Sequence, residues 1–354
     1  MKAAVLREYG EPLAIEERAR PEPAPDGVVV EVEACGICRS DWHAWKGHGE
    51  WADDRVEPGT VLGHEPAGRV VEAGERVERF GVGDRVAVPF SLGDGTCPYC
   101  REGKGNVCQD GWALGFEPDA DGAFAEYVAV PVADYNLAAL PDSVSFEAAA
   151  ALGCRYMTAF HALAERVAVD SGDWVAVHGC GGVGLSAVQI ARSRGANVIA
   201  VDLSEEKLDA ARDAGAHETV NVQDVDDPAT AVRDIAGDGG AHVSMDAVGV
   251  RATCRASVGS LRDQGTHVQV GLTTEEERGE VSLPTDYMTR HELSFVGARG
   301  MPPTSYDALF RLVETGDVAP AALVTKEVSL EAVPDRLAAM DDYGTVGVEV
   351  VTDF

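Results

Sequence analysis

Two regimes of hydrophobic patterning divide the chain. Over roughly the first 150 residues, apolar and polar positions alternate in short runs broken by Gly and Pro, as in irregular β structure. The clearest predicted strands are 28–33, 68–72, 85–88 and 127–131. Pro21, Pro23 and Pro25 form an extended linker ahead of the first of them. A helical stretch opens at 147–151, carries Cys154 and Thr158, and runs towards Glu165. From Trp174 the pattern changes to apolar strands alternating with amphipathic helices. Strands are predicted at 174–178, 197–201, 217–220, 243–246, 267–270 and 293–296. Helices are predicted at 183–194, 229–236 and 252–261, and one capped by Ser204 runs through Arg212. Gly195 and Gly215 stop two of them. Six strands with intervening helices make a doubly wound parallel sheet, an α/β architecture. After Gly297 the pattern is helix, strand, helix, strand, which predicts a return to the first domain. The expected division is 1–153 with 298–354, and 154–297.

Length and composition fit this picture. A chain of 354 residues with 45% hydrophobic content has enough material for two cores. The formal net charge is −31, from 60 acidic against 29 basic residues, and lysine occurs only at 2, 46, 104, 207 and 326. Such a surface repels nucleic acid and anionic membrane, so neither is an expected partner. The acid excess with scarce lysine resembles the cytosolic proteins of salt-accumulating halophiles. No apolar run is long enough to span a membrane, and the early charges at Lys2 and Arg7 do not suit a signal peptide. Eight cysteines in a chain of this length are not a small disulfide framework. Free thiolates that hold metal suit a reducing cytoplasm, the expected location.

The cysteines cluster where a metal could use them. Cys38, His64 and Cys154 stand in the contexts Gly36-Ile37-Cys38-Arg39-Ser40-Asp41-Trp42-His43, Gly63-His64-Glu65 and Leu152-Gly153-Cys154-Arg155. Two thiolates and one imidazole suit a zinc ion with a vacant fourth position, able to bind and activate an alcohol or carbonyl oxygen. Cys38 follows an apolar strand and a glycine, so its sulfur is expected to project from a turn. Glu65 can contact the same ion or polarise its surroundings. A second cluster, Asp94, Cys97, Cys100 and Cys108, has the spacing D-x2-C-x2-C-x7-C. It offers four ligands from one loop for a closed structural zinc; the alternative is an acidic loop with three free thiols. Cys35, Cys180 and Cys254 lack partners at ligand spacing and read as small buried residues.

Gly179-Cys180-Gly181-Gly182-Val183-Gly184 lies between a predicted strand and a predicted helix. Gly179 allows the tight turn, Gly181 lets backbone approach a pyrophosphate, and Gly184 lets helix and strand pack closely. The helix N-terminus near Gly182 offers N–H groups to phosphates. Asp202, ending the next strand, can accept hydrogen bonds from both adenosine ribose hydroxyls and would repel a 2′-phosphate, which favours NAD over NADP. Lys207 lies one helical turn on and could touch the same ribose. A metal that holds an oxygen beside a hydride carrier implies alcohol–carbonyl redox chemistry.

These residues together resemble the medium-chain, zinc-dependent alcohol dehydrogenase family over nearly the whole chain. The family's G-x-C-x-S/T-D-x-H pattern falls on Gly36 to His43, its G-H-E on Gly63 to Glu65, its third catalytic ligand on Cys154, and its four-cysteine lobe on Asp94, Cys97, Cys100 and Cys108, with a departure at Asp94. The resemblance implies an irregular β-rich, GroES-like catalytic domain joined to a Rossmann domain. It implies that Cys38, His64 and Cys154 hold the catalytic zinc and that Asp41 braces His64. It further implies that Ser40 takes the hydroxyl proton and passes it through the nicotinamide ribose to His43. Arg39 would meet the coenzyme pyrophosphate, and Thr158, Val248 and Gly271 the nicotinamide half. Family members form dimers and tetramers, so a homodimer or homotetramer is expected. Trp42, Trp45, Trp51, Phe90, Trp112, Leu114 and Phe116 are candidates to wall a substrate pocket; an aromatic pocket favours aliphatic or aromatic alcohols over sugars. Two other readings stand beside this one: a polyol or sugar dehydrogenase on the same scaffold, and a catalytically idle nucleotide-binding redox sensor. Many polyol enzymes place a glutamate where Cys154 stands. An idle relative would have lost ligands or relay residues that this chain retains.

Overall fold

The computed structural model describes residues 1–49, 55–341 and 345–354. The chain divides into two compact units, Met1–Met157 with Gly300–Phe354, and Thr158–Arg299. The break falls a few residues later than the sequence boundary at 153/154, and it moves Cys154 into the first unit.

The first unit is built on a mixed sheet ordered Val324–Ser329, Val348–Asp353, Val28–Ile37, Pro66–Ala73, Arg85–Ala87 and Ala138–Ala139. Tyr127–Val130 also pairs with Val28–Ile37. The Val28–Ile37 strand is longer than the alternation suggested. Its valines, Ala34, Cys35 and Ile37 are all buried. The strand Val348–Asp353 pairs antiparallel with its far end, so the C-terminal segment does return to this unit. A hairpin of Lys2–Val5 with Ala14–Glu17 lies at the N-terminus.

The register of one pair positions the first cluster. Cys35 lies opposite Pro66, and the Gly36 N–H donates to the Glu65 carbonyl at 3.1 Å. Residues just beyond the strand end therefore sit beside those just before its partner, which brings Cys38 to His64. Only glycine serves at 36, since a Cβ there would stand 2.3 Å from Glu65 Oε2 and 2.6 Å from an Arg155 nitrogen.

The second unit carries a six-stranded, wholly parallel sheet in the order Glu218–Asn221, Asn197–Asp202, Trp174–His178, Ala241–Asp246, Leu261–Gln269 and Ser294–Gly297. This is the doubly wound order, whose switch point lies between the strands ending at His178 and Asp246. Ala176, Ile199, Val201, Val220, Val232, Ala236 and Ala241 form a buried cluster on it. Helices Gly182–Ser193, Glu205–Asp213, Pro228–Ala236 and Arg251–Gly259 intervene. Most predicted and observed ends agree within a few residues, but the strand expected at 267–270 begins at Leu261, where the sequence pattern extends the preceding helix, and Ser204 is a correction. It occupies the N-cap of its helix, yet its side chain makes no cap hydrogen bond. The Asp202 carboxylate accepts from the Leu203 and Ser204 N–H groups just ahead of the helix, at 2.8 and 3.0 Å.

The predicted helix from 147 towards Glu165 is also not continuous. Ser145 caps Phe146–Ala151, accepting from the Ala148 N–H. The helix then kinks within Leu152–Tyr156, where Gly153 is non-helical at φ −49°, ψ −135°. The position also needs glycine: a Cβ on Gly153 would lie 2.5 Å from Glu65 Cβ. The break at Gly153 sets Cys154 beside the His64 segment.

Candidate metal and coenzyme sites

The ligand atoms of Cys38, His64, Glu65 and Cys154 lie within 4.8 Å of one another. Cys38 is not on a simple turn. It is the N-cap of the helix Arg39–Lys46, and Asp41 returns its carboxylate to the Cys38 N–H at 2.9 Å. The other Asp41 oxygen accepts from the Gly63 N–H at 3.2 Å and meets His64 Nδ1 at 2.8 Å. One fully buried carboxylate thus closes the helix end and orients the imidazole. With Nδ1 committed to Asp41, Nε2 is the free lone pair of a neutral His64. That atom is buried without a hydrogen-bond partner. A buried nitrogen left bare between two sulfurs fits a metal ion.

The electrostatics suit a cation. Cys154 beside it holds the Cys38 thiol well below its ordinary range, with His64 and Arg155 acting the same way against burial. Cys38 in turn pushes the Cys154 thiol well up. The pair shares one proton, and a metal ion would displace it. Burial pulls His64 down, but the Asp41 charge and hydrogen bond and Cys38 raise it overall, the surplus negative charge that a cation would neutralise. Ser40 Oγ lies 3.8 Å from Cys38 Sγ and 4.0 Å from Cys154 Sγ. Phe90 and Phe116 pack around His64, with ring centroids 5.6 and 4.7 Å away.

Sequence reasoning passed over Arg155. It is buried, ion-paired to Glu65, and donates to the Ile37 carbonyl at 3.0 Å. Its backbone N–H reaches the other Glu65 oxygen at 3.3 Å. Glu65 is therefore occupied by Arg155 rather than aimed only at the cluster. Burial raises its carboxyl to about 8 even with the guanidinium opposing. The available signal was an arginine inside an otherwise apolar helical run.

Of the other predicted residues in this unit, Arg39 donates to the Met340 carbonyl at 2.9 Å and lies over the Trp42 ring. His43 Nδ1 faces His48 Nδ1 at 3.0 Å, a partner the sequence reading did not name. Among the pocket candidates, Trp45 is buried and donates to the Glu11 carbonyl, and Leu114 is fully buried, so both serve the core. Trp42 donates to Asp341 at 2.7 Å. Trp112 lies on the short strand Trp112–Ala113, half-buried. Trp51 lies outside the described residues.

Asp94, Cys97, Cys100 and Cys108 also gather within 4.8 Å. Cys97 and Cys108 sulfurs are 3.7 Å apart, and Cys108 Sγ lies 3.4 Å from Asp94 Oδ1. Asp94 also accepts from the Cys97 and Thr96 N–H groups and the Thr96 hydroxyl, which holds its carboxyl well below the usual range. An ionised oxygen in the fourth position is available. Cys35, Cys180 and Cys254 are buried and unpaired by disulfide.

In the second unit, Gly179 has φ +95° and its N–H donates to the Val201 carbonyl at 2.8 Å. Gly181 is the N-cap of Gly182–Ser193, so Gly182, Val183 and Gly184 form the first turn. A Cβ on Gly181 would meet nothing within 4 Å, whereas one on Gly184 would lie 1.9 Å from the Gly179 carbonyl oxygen. This is a cradle: open where a pyrophosphate would approach, closed where helix meets strand. Asp202 accepts the Cys180 N–H at 2.8 Å, which fixes its carboxylate at the strand end. Lys207 is on the helix Glu205–Asp213, and its charge reaches the Cys180 thiol. Asp246 was not foreseen. It accepts from the Val248 and Gly249 N–H groups at 2.9 and 3.1 Å, and its carbonyl accepts from Gly271 N–H at 2.9 Å. It thereby ties together the two turns bearing Val248 and Gly271. Thr158 is buried at the start of this unit.

Comparison with known proteins agrees with these features. Residues 24–142 match the model of the alcohol dehydrogenase GroES-like domain, and residues 182–315 that of the zinc-binding dehydrogenase domain. An NAD-dependent alcohol dehydrogenase of Sulfurisphaera tokodaii is 34% identical, with 99% of each chain covered. The chain belongs to the medium-chain, zinc-dependent alcohol dehydrogenase family. Alcohol dehydrogenase TADH from Thermus sp. ATN1 superimposes with a TM-score of 0.90 at 31% identity, all of both chains covered. A sorbitol dehydrogenase of Bacillus subtilis is also 34% identical, over 95% of this chain and 92% of its own.

Proposed function

We propose that Cys38, Cys154 and His64 Nε2 hold the catalytic zinc of this family member and that the Gly179–Gly184 turn and Asp202 hold NAD. The chain is an NAD-dependent zinc alcohol dehydrogenase, interconverting an alcohol and an aldehyde or ketone. The observation that carries the residue assignment is the bare, buried Nε2 of His64.

When bound, zinc supplies Lewis acidity to the alcohol or carbonyl oxygen and NAD supplies the hydride acceptor. The chain's own groups do the rest. Asp41 holds His64 in the Nδ1–H tautomer, so that Nε2 stays a ligand. Arg155 neutralises Glu65 and keeps a second buried anion from crowding the thiolates. Ser40 Oγ, beside both sulfurs, accepts the hydroxyl proton, and His43 is the next acceptor. In the second unit the helix N-terminus binds phosphate, and Asp202 accepts from the ribose hydroxyls. The Asp94, Cys97, Cys100 and Cys108 loop holds a second, structural zinc.

The polyol reading deserves a test because the Bacillus subtilis sorbitol dehydrogenase is as similar in sequence, at 34% identity, as the Sulfurisphaera tokodaii NAD-dependent alcohol dehydrogenase. Cys154 and the aromatic pair Phe90 and Phe116 favour simple alcohols. We place the enzyme in the cytoplasm, where its free thiols stay reduced, as a homodimer or homotetramer. No helix among the described residues is long and apolar enough to cross a membrane. The test is absorbance at the NADH band with primary, secondary, aromatic and polyol substrates, before and after chelation. Turnover of simple alcohols with NAD, lost on chelation, supports the reading; turnover only with NADP, or only of polyols, overturns it.

A further inference from the structure

We infer that His48 is the proton-exchange partner of His43, so that the proton leaves this site through two imidazoles in series rather than one. The inference rests on the reading above that His43 receives the proton drawn from the alcohol.

Three observations carry it. The two Nδ1 atoms face each other at 3.0 Å, so one ring must donate and the other accept. The rings are fixed in that relation. Trp42 meets His43 and His48 edge-on, with centroids 5.0 and 5.2 Å away, and Gly47 turns the chain back through φ +73° to bring His48 alongside. The His48 N–H also donates to the His43 carbonyl at 3.0 Å, pinning the two backbones together. A Cβ on Gly47 would strike the Tyr9 ring at 2.8 Å, so this turn requires glycine.

The tautomers then dictate the route. In the receptive state His43 carries its proton on Nδ1 and donates to His48 Nδ1, while His48 carries its own on Nε2. A proton entering at His43 Nε2 drives the Nδ1 proton across to His48, which releases its Nε2 proton to water. One proton enters and one leaves, and the pair resets when its tautomers exchange through solvent. His43 is a poor place to store a proton. Burial lowers its pKa to about 3, aided by His48 and Arg39, with Cys38 opposing. Handing the proton on is therefore the favourable course. Other charges near this helix, among the described residues, include Arg55, whose guanidinium lies beside Gly47 and over the Tyr9 ring, Asp41, committed to the Cys38 N–H and His64, and Lys46 and Asp341, paired with each other at 2.9 Å.

His48 acts through His43 and is a positioning and proton-transfer residue, so its test needs readouts that structure alone would not move. The first is independent of turnover. Long-range 1H–15N spectra of the full chain with 15N-labelled histidine, assigned with H43N and H48Q, should show complementary Nδ1 states in the pair. Identical tautomers in both rings would overturn the pairing. The second is proton release in a single turnover, followed with an indicator dye alongside NADH formation. His48→Gln and His48→Ala should each slow proton release about tenfold, a modest share of a general acid–base contribution. NADH affinity should stay within about twofold, and added imidazole should restore the rate in His48→Ala. Unchanged proton release, or slowed release that imidazole does not restore and that comes with lost NADH affinity, would overturn the inference. Absence of any alcohol-dependent NADH signal in the unmodified protein would count against the functional reading instead, and the tautomer measurement would still decide the pair.

Discussion

Gly184→Ala isolates the contact that brings the coenzyme helix to its strand. The added Cβ would stand 1.9 Å from the Gly179 carbonyl oxygen and 2.9 Å from its carbon, where ordinary contact begins at 3.4 Å. The helix N-terminus would have to retreat by about 1.5 Å, or the Gly179 turn would have to open. Both are backbone, so no side chain can rotate to relieve the clash. Overpacking of this kind costs about 1–3 kcal/mol. If the helix retreats, the N–H groups aimed at the phosphates retreat with it, and the same energy appears as a rise of about 5- to 150-fold in the NADH dissociation constant. If the helix stays, the cost appears in the unfolding midpoint. Gly181→Ala is the control. Its Cβ meets nothing within 4 Å, and its φ of −79° suits any residue. It should leave stability within about 0.5 kcal/mol and still weaken NADH, because the methyl occupies the space the pyrophosphate needs. The assays are NADH fluorescence titration and denaturant unfolding of both variants. A Gly184→Ala protein with unaltered affinity and midpoint would refute the packing argument, and a Gly181→Ala protein binding NADH normally would refute the approach argument.

Other outcomes follow from the same structure. Cys154→Ser should abolish turnover and lower zinc content by one per chain while NADH still binds; joint loss of turnover and binding would count against the assigned role. Arg155→Leu leaves Glu65 buried without its cation, so unfolding free energy should fall by about 3–5 kcal/mol, and an unchanged midpoint would contradict the ion pair. Asp94→Ala removes one oxygen from the loop cluster and three local hydrogen bonds, so metal analysis should show zinc falling from about two per chain towards one; full retention of zinc would exclude Asp94 as a ligand. With a net charge of −31, the thermal midpoint should climb as added salt shortens the Debye length from about 30 Å at 0.01 M to about 3 Å at 1 M; a flat or falling midpoint would show that self-repulsion is not a major term.

The parallel sheet was readable because its central strands, Trp174–His178, Asn197–Asp202 and Ala241–Asp246, end at a glycine or an acid, and the ends at His178 and Asp202 fell within a residue of prediction. Motif context nominated both ligand clusters, although the members of the first lie far apart in sequence. What spacing could not convey was how neighbouring charges are settled. Asp41 caps a helix and orients His64 at once, and Arg155 takes up Glu65, because burial forces every charge to find a partner. The break at Gly153 escaped for a similar reason. Gly153 packs against Glu65, 88 positions earlier in the chain, a contact that the local sequence does not show. Ser204 stands at the N-cap but makes no side-chain cap bond, while Asp202 accepts from the Leu203 and Ser204 N–H groups just ahead of the helix. His48 carried no motif, and its relation to His43 depends on a glycine turn whose direction the residue pattern does not reveal.

A zinc-edge anomalous difference map from crystals grown with the metal would bear most directly on the chemistry proposed for the first unit. The account predicts a peak bonded to Cys38 Sγ and Cys154 Sγ at about 2.3 Å and to His64 Nε2 at about 2.0–2.1 Å. An enzyme that oxidises alcohols with NAD yet shows no metal peak among those three atoms would contradict it.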